Sequence, residues 1–322
     1  MTNLSIPALR KRIRTEADAY LLLEELRWPN GPVCPHCHTD RAPYFLTPKA
    51  EEGRKTRTGK VTDRRVFKCA ACRKQFSVLT GTIFHGTKIA VSTWIFVVVE
   101  MCASKNGVSA REIQRKYELT AKTAWFMTQR IREAMKRDPL AGLMAGTIIA
   151  DETWIGGKPG NRHGGQRNGM QGQTDKTPVL SLIDQATGEV RSRVVPNVTG
   201  QTLRAAIHDQ VHASASELHT DSSRSYTRVG GEFLDHEIVN HYDGEYVNER
   251  GAGTNMAESF FSQLKRSLDG THHHVSVEHL PRYLAEFDFR HSTRRLSDAQ
   301  RVARLMGQVH GRRLSYRPLT NG

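Results

Sequence analysis

Three acidic residues in the second half of the chain lie in segments that predict regular structure. An apolar run that predicts a buried strand ends on Asp151, and a pair of glycines follows it. A shorter strand-like run ends on Asp221. Residues 254–266 have apolar side chains at steps of three and four, which predicts a helix with one buried face, and Glu258 lies on another face. The fold must therefore place three carboxylates on two strands and one helix.

The elements between these acids narrow the fold class. After the first strand, the sequence predicts strands at 177–184 and 189–197 joined by a turn, and then a helix at 200–211. The order is strand with Asp151, two strands, helix, strand with Asp221, helix with Glu258. This is the order of a ribonuclease H-like core, so we predict an α/β fold with a mixed sheet and flanking helices.

Three converging carboxylates need a counter-charge, because like charges packed together in a folded protein are unfavourable. Mg²⁺ takes oxygen ligands and is usually held by one or two carboxylates together with phosphate and water. Two such ions can stabilise both the attacking and the leaving oxygen of a phosphodiester. Rival ligands are Glu152, which lies beside the first motif, and three acids in a polar segment, Asp243, Glu245 and Glu249.

The sequence resembles the DDE transposases of bacterial insertion sequences, and in particular the ISXO-like group with an N-terminal zinc ribbon. The resemblance extends from about the first cysteine pair to about Arg294. Four motifs carry it, at 149–158, 219–221, 254–266 and 270–276.

The resemblance implies a catalytic triad of Asp151, Asp221 and Glu258 that holds two Mg²⁺ or Mn²⁺ ions. It also implies binding of the element's terminal inverted repeats, hydrolysis of a phosphodiester at the element end, and transfer of the freed 3′ hydroxyl into target DNA. Joining two ends implies at least a dimer on double-stranded DNA.

Three residues of the same predicted helix are candidates for supporting roles. We expect Asn255 to orient Glu258 or a water molecule, and Lys265 and Arg266 to neutralise phosphates. Two other functions remain open: a ribonuclease H-like nuclease that cuts without joining, and a DNA-binding protein derived from a transposase that no longer catalyses.

Two C-x-x-C pairs predict a structural zinc site. Cys34 and Cys37 form the first pair and Cys69 and Cys72 the second, which gives the four thiolates that a tetrahedral Zn²⁺ prefers. The pairs are further apart than the about 15–20 residues usual in zinc ribbons, so we interpret the basic segment 49–65 as an insertion. His36 and His38 are alternative ligands, and Cys102 is expected in the core.

A helix-turn-helix is predicted after the ribbon. Serine at 109 begins a short helix to about 117, and Thr120 can cap a second helix at 121–135. The second helix of such a pair enters the major groove, and we name as DNA-contacting candidates Lys122, Thr123 and Arg130.

The Gly-, Gln- and Asn-rich segment 156–176 provides one more DNA-contacting candidate, Lys158. It lacks a phosphate-binding loop pattern, so no nucleoside triphosphate is implied. For the three histidines at 272–274 we favour DNA or packing contacts over metal binding, because adjacent residues do not face one way in regular structure.

Charge and hydrophobicity restrict the partners. The 322 residues carry a formal net charge of +14, which suits nucleic acid. No apolar run is long enough to span a bilayer and the N-terminus has no signal-peptide core, so we expect a cytoplasmic, nucleoid-associated protein.

We predict five regions: a helical lead-in at 1–30, a zinc ribbon at 31–80, a helix-turn-helix region at 81–140, a catalytic domain at 141–295 and a basic C-terminal tail at 296–322.

Overall fold

The computed structural model describes residues 3–48, 53–56, 58–138, 141–156, 176–240, 247 and 250–316. The chain divides into two compact units. The first contains Met1–Met135 together with Leu296–Gly322, and the second contains Lys136–Arg295. None of the described helices is long and apolar enough to cross a membrane.

The longest elements of the first unit are helices. They are α1 (Ile6–Arg12), α2 (Glu16–Arg27), α3 (Val91–Ala103), α4 (Ala110–Lys116), α5 (Ala121–Met135) and, from the end of the chain, α10 (Asp298–Gly307). Helix α2 packs on α3, α4 packs on α5, and α10 contacts α2, α3 and α5. The predicted helix-turn-helix is present, and Glu118 in its turn has a φ of 51°, a left-handed conformation that reverses the chain.

Short strands form the ribbon. They are β1 (Tyr44–Phe45), β2 (Arg54–Lys55), β3 (Val61–Thr62), β4 (Phe67–Lys68) and β5 (Gln75–Phe76). β1, β4 and β5 form an antiparallel sheet in that order, and the insertion between the cysteine pairs contains the β2–β3 hairpin. Trp28 packs edge-on against Phe67 and Phe76 over this sheet.

A five-stranded mixed sheet forms the centre of the second unit. Its strands are β6 (Met144–Ile155), β7 (Thr177–Asp184), β8 (Val190–Val194), β9 (Val211–Asp221) and β10 (Asp235–Val239). The order is β10-β9-β6-β7-β8; β9 is parallel to β6 and β10, whereas β7 is antiparallel to both of its neighbours. This order and these directions confirm the predicted ribonuclease H-like fold.

Helices cover both faces of this sheet. They are α6 (Gly200–His208), α7 (Thr227–Gly230), α8 (Asn255–Ser267) and α9 (Leu280–Ser292), with a 3₁₀ turn at Arg224–Tyr226 and a π turn at Leu268–His272. Leu203 and Ile207 of α6 pack against Leu180 and Leu218 on one face. On the other face, α8 and α9 pack around Ile149 and Ile183.

The structure differs from the sequence predictions in three places. Part of the predicted basic tail is a packed helix, because residues 298–307 form α10, whose side chains of Val302, Leu305 and Met306 are buried. The edge strand β10 was not predicted. Asp151 lies within β6 rather than at its end, since β6 pairs with β7 as far as Ile155.

Candidate active site and zinc centre

Strands β6 and β9 bring Asp151 and Asp221 to the same level of the sheet. The two strands run parallel, and their last aligned pair is Ile149 with His219. Two residues further along each strand come Asp151 and Asp221, and neighbouring strands are about 4.8 Å apart. Both side chains belong to the face of Ile149, because side chains alternate between the two faces along a strand.

Helix α8 places Glu258 on this same side of the sheet. Its buried residues Ala257, Phe260 and Leu264 join the cluster that contains Ile149, and the helix packs against β6 and β7. Glu258 lies in the first turn and is exposed. The apolar spacing of α8 therefore fixes which face of the helix turns away from the core, and the three predicted acids share one side of the sheet.

A fourth acid, Glu152, accompanies the two aspartates. Burial raises the pKa of Glu152 to about 7, and the charges of Asp151 and Asp221 act in the same direction. The hydroxyl of Tyr226 interacts with this carboxylate and opposes the shift, although it does not reach full hydrogen-bond geometry. Tyr226 is fully buried and is the last residue of the 3₁₀ turn that follows Asp221. Negative charge is thus concentrated where the strands carry their acids.

The carboxylates suit divalent cations in their chemistry, but they do not converge on one point. Among the described residues, the four ribbon cysteines are the one group of three or more His, Cys, Asp or Glu side chains that could hold a single metal ion, and their sulfur atoms lie within 4.8 Å of one another. A two-cation site does not need such convergence, because two ions about 3.5–4 Å apart can each take a different pair of carboxylates. Oxygen donors of this kind are those that Mg²⁺ prefers.

The supporting candidates lie on the same helix as Glu258. Asn255 is the first residue of α8 and is exposed, as are Lys265 and Arg266 in its last turn. Arg266 donates a hydrogen bond to the Ser262 hydroxyl at 2.8 Å. The roles assigned to these three residues stay predictions.

Of the three adjacent histidines, one has a packing role. The ring of His272 stands edge-on to Tyr283, with centroids 4.9 Å apart, and contacts Phe287. His273 and His274 are exposed.

The four ribbon cysteines form a site that fits Zn²⁺. The Sγ atoms of Cys34 and Cys72 are 3.7 Å apart, and those of Cys37 and Cys69 are 3.6 Å apart. Four sulfurs at the usual Zn–S distance of about 2.3 Å in a tetrahedron would stand about 3.8 Å apart. The donor set and its spacing are therefore those of a closed structural zinc site, with no need for His36 or His38.

The environment of Cys69 favours the thiolate that zinc requires. Desolvation raises its pKa, but backbone N–H groups of Cys72 and Ala71 and the neighbouring thiols outweigh this and lower the pKa to about 6. Cys102 is buried in α3, as expected.

The predicted DNA contacts on α5 have different environments. Lys122 is exposed, and its ammonium group lies 4.3 Å from the ring centroid of Tyr316. Thr123 is half-buried, and its hydroxyl is 2.8 Å from that of Thr120. Lys158 lies outside the described residues.

Arg130 is a correction to the sequence analysis. Its side chain is buried between Trp94 and Phe126, and it donates a hydrogen bond to the backbone carbonyl of His85 at 2.6 Å. Arg130 therefore supports the packing of the first unit rather than contacting DNA. Arg130 lies one turn before the buried Ala134 on α5 and therefore on the same face of the helix. This spacing is the signal in the sequence that could have indicated that Arg130 is buried.

Comparison with known families agrees with both parts of this architecture. The model of the ISXO2-like transposase domain matches residues 143–292, and that of the transposase zinc-ribbon domain matches residues 14–75. The chain thus combines an ISXO2-like transposase domain with a transposase zinc ribbon. The second match spans α2 and the ribbon, and the first spans the five-stranded sheet and α6 to α9.

A relative of this transposase occurs in a mobile element of an archaeon. It is an uncharacterized protein in transposable element ISH50 of Halobacterium salinarum, 28% identical over 290 residues that cover 87% of this chain and 92% of the relative.

Two solved structures are also similar to the transposase. The catalytic core domain of BIV integrase matches 44% of this chain and 80% of its own, with 16% identity and a TM-score of 0.29. The simian T-cell lymphotropic virus intasome, in complex with PP2A regulatory subunit B56 gamma, matches 58% of this chain and 64% of its own, with 11% identity and a TM-score of 0.28.

Proposed function

We propose that this transposase cuts DNA at the ends of its insertion sequence and joins the freed 3′ ends to target DNA, with Asp151, Asp221 and Glu258 as the catalytic acids. The observation that carries the proposal is their shared position. Two of them lie at the same level of neighbouring parallel strands, and the third lies on the helix that packs against the same face.

The carboxylates would hold two divalent cations, Mg²⁺ or Mn²⁺. When bound, these ions would activate an attacking oxygen and stabilise the leaving oxygen of the phosphodiester. Asp151 and Asp221 stand on rigid strands, so their geometry is preorganised. Glu258 lies in the exposed first turn of α8, where the helix dipole favours a negatively charged side chain.

Other residues of this chain would position the DNA. Lys265 and Arg266 are exposed on α8 and would neutralise phosphates next to the reacting bond, and Asn255 would orient Glu258. Lys122 and Thr123 at the start of α5 would contact the element ends. The two joined ends would require at least two copies of the chain on the DNA.

The experiment uses the purified protein, Mg²⁺ or Mn²⁺, and a labelled duplex that contains the DNA bordering its own gene. We expect nicking and joining by the wild type, and a loss of at least about 10³-fold in Glu258→Gln with duplex binding retained, because the variant keeps the side-chain volume but loses a cation ligand.

The matched control is Glu278→Gln, an exposed glutamate of the same unit outside the triad. It should cut and join like the wild type. Cleavage that survives Glu258→Gln would exclude this glutamate from the triad. Cutting without joining would identify a nuclease. Binding without cutting would identify a DNA-binding protein that no longer catalyses.

A further inference from the structure

The first unit contains a groove whose walls carry positive charge. A cavity of about 530 Å³ lies between the β2–β3 hairpin and the segment 79–87 that follows the ribbon. We call it the basic groove, because four cationic or titratable basic side chains line it, those of Arg54, Lys55, Arg64 and His85. None of the described residues that line it is Asp or Glu.

Arginines that do not line the groove add to its positive charge, as the pKa of His85 shows. The pKa of His85 is lowered, first by burial and then by the charges of Arg313, Arg130 and Arg64. The imidazole therefore lies in a positive field that comes from three different segments of this unit. Such a field attracts an anion and is attenuated by salt.

Two carboxylates lie close to the groove, and one of them is held by contacts outside it. Glu16 and Asp63 act on Tyr20, which lines one side. Glu16 is engaged by α3, because it accepts hydrogen bonds from the backbone N–H groups of Val91 and Ser92 and from the Ser92 hydroxyl.

Two of the arginines are held in place by the unit itself. Arg54 donates to the carbonyl of Leu46 at 2.6 Å, and Arg64 donates through Nε to the Ser77 hydroxyl at 3.2 Å. A guanidinium group has five N–H donors, so each arginine keeps donors for a second partner. The side chains are thus oriented before any ligand arrives, which reduces the entropy lost on binding.

We propose that the basic groove binds the sugar–phosphate backbone of a DNA strand. Arginine, lysine and threonine side chains are among the groups that contact DNA phosphates, and four threonines, at 56, 62, 80 and 87, line the groove together with its cations. The volume lies in the range of pockets that take molecules larger than a single inorganic ion. The proposal rests on the proposed function, and it assigns DNA contacts to the insertion of the ribbon in addition to α5.

The test compares two double variants of the full-length protein. Lys55→Gln with Arg64→Gln removes two charges from the groove, and Arg41→Gln with Lys74→Gln removes two exposed charges of the ribbon that do not line it. Affinity for a duplex is measured by fluorescence anisotropy over a series of salt concentrations. We expect the slope of log K against log salt to fall by about 2 in the groove variant and to change little in the control.

Two duplexes separate the possible sources of the strand. One has the DNA that borders the gene, and the other has unrelated sequence of the same length. If the groove variant loses affinity equally for both duplexes, the groove contacts the backbone of any DNA. If it loses affinity for the first duplex alone, the groove contacts the element ends. A slope unchanged in the groove variant, or lowered equally in the control, overturns the proposal. A wild type that binds neither duplex contradicts the proposed function instead.

Hydrogen exchange on the wild type tests the same groove without substitutions. Binding of either duplex should protect the backbone of residues 53–56, 58–62 and 79–87. Protection confined to α5 would overturn the proposal. Zinc content and the thermal transition of each variant, compared with those of the wild type, show whether the ribbon remains folded.

Discussion

At the scale of single residues, Asp288 shows how burial makes stability depend on pH. Its carboxylate accepts hydrogen bonds from the backbone N–H and the hydroxyl of Ser192, at 2.7 and 2.6 Å, and so ties α9 to β8. Burial raises the pKa of Asp288 to about 7, against the effect of these bonds. The folded protein therefore holds a proton that the unfolded chain releases near pH 4.

We predict that this residue lowers stability as pH rises from about 4 to about 7, because the unfolded state then binds fewer protons than the folded state. Asp288→Asn removes the titration, so the variant should gain about 1–4 kcal/mol relative to wild type across this range. Calorimetry of the second unit's transition between pH 5 and 8 measures the difference. The exposed Asp269→Asn serves as the control, and a difference for Asp288→Asn that does not vary with pH would contradict the prediction.

Two single residues, Glu152 and Arg130, have environments that the sequence does not predict. Asp151 and Glu152 are adjacent in sequence but lie on opposite faces of β6, so no spacing rule indicates that burial acts on Glu152 while Asp151 faces α8. Arg130 lies on the second helix of the predicted helix-turn-helix, which favours a DNA contact, yet Trp94 and Phe126 enclose its guanidinium group. A basic residue on a predicted recognition helix can serve either purpose, and only the long-range contacts decide.

At the scale of elements, helices with a clear apolar period were predictable. Helix α5 has the predicted bounds, and α4 covers most of the helix predicted from Ser109 to about 117. Helix α9 begins at Leu280, where Pro281 occupies the first turn. The edge strand β10 was missed because its five residues include only two apolar ones, Ile238 and Val239. Backbone pairing with β9 holds these residues as a strand, although their own sequence does not predict one.

Helix α10 provides the test at this scale. Its sequence reads as a basic tail, but Val302, Leu305 and Met306 are buried against α2, α3 and α5. We predict that Leu305→Ala lowers the stability of the first unit by about 2–5 kcal/mol, as expected for a buried leucine, whereas Arg304→Ala on the exposed side changes it by less than about 0.5 kcal/mol. Thermal unfolding of the two variants measures this, and equal, small effects would show that residues 298–307 act as a tail.

At the scale of the whole molecule, the two units reach stability by different means. The second unit has a large core on both faces of its sheet. The described residues of the ribbon form strands of two residues each and a small core of Cys34, Phe67, Cys69 and Phe76, with Trp28 and Cys72 packed against it. A core of this size rarely holds a fold without a metal or a disulfide, so the zinc site has to supply the remaining stability.

We therefore predict that a zinc chelator unfolds the ribbon and leaves the thermal transition of the second unit in place. Cys72→Ser should lose the one zinc ion expected per chain, because a hydroxyl replaces one of four thiolate ligands. Cys102→Ala removes a thiol from the same unit but outside the cluster, and it should retain the metal. Metal analysis and calorimetry measure both effects. If chelation lowered the temperatures of both transitions equally, zinc would stabilise the whole chain. The second unit contains no cysteine, so we expect the temperature of its transition to stay within about 2 °C of that of the untreated protein.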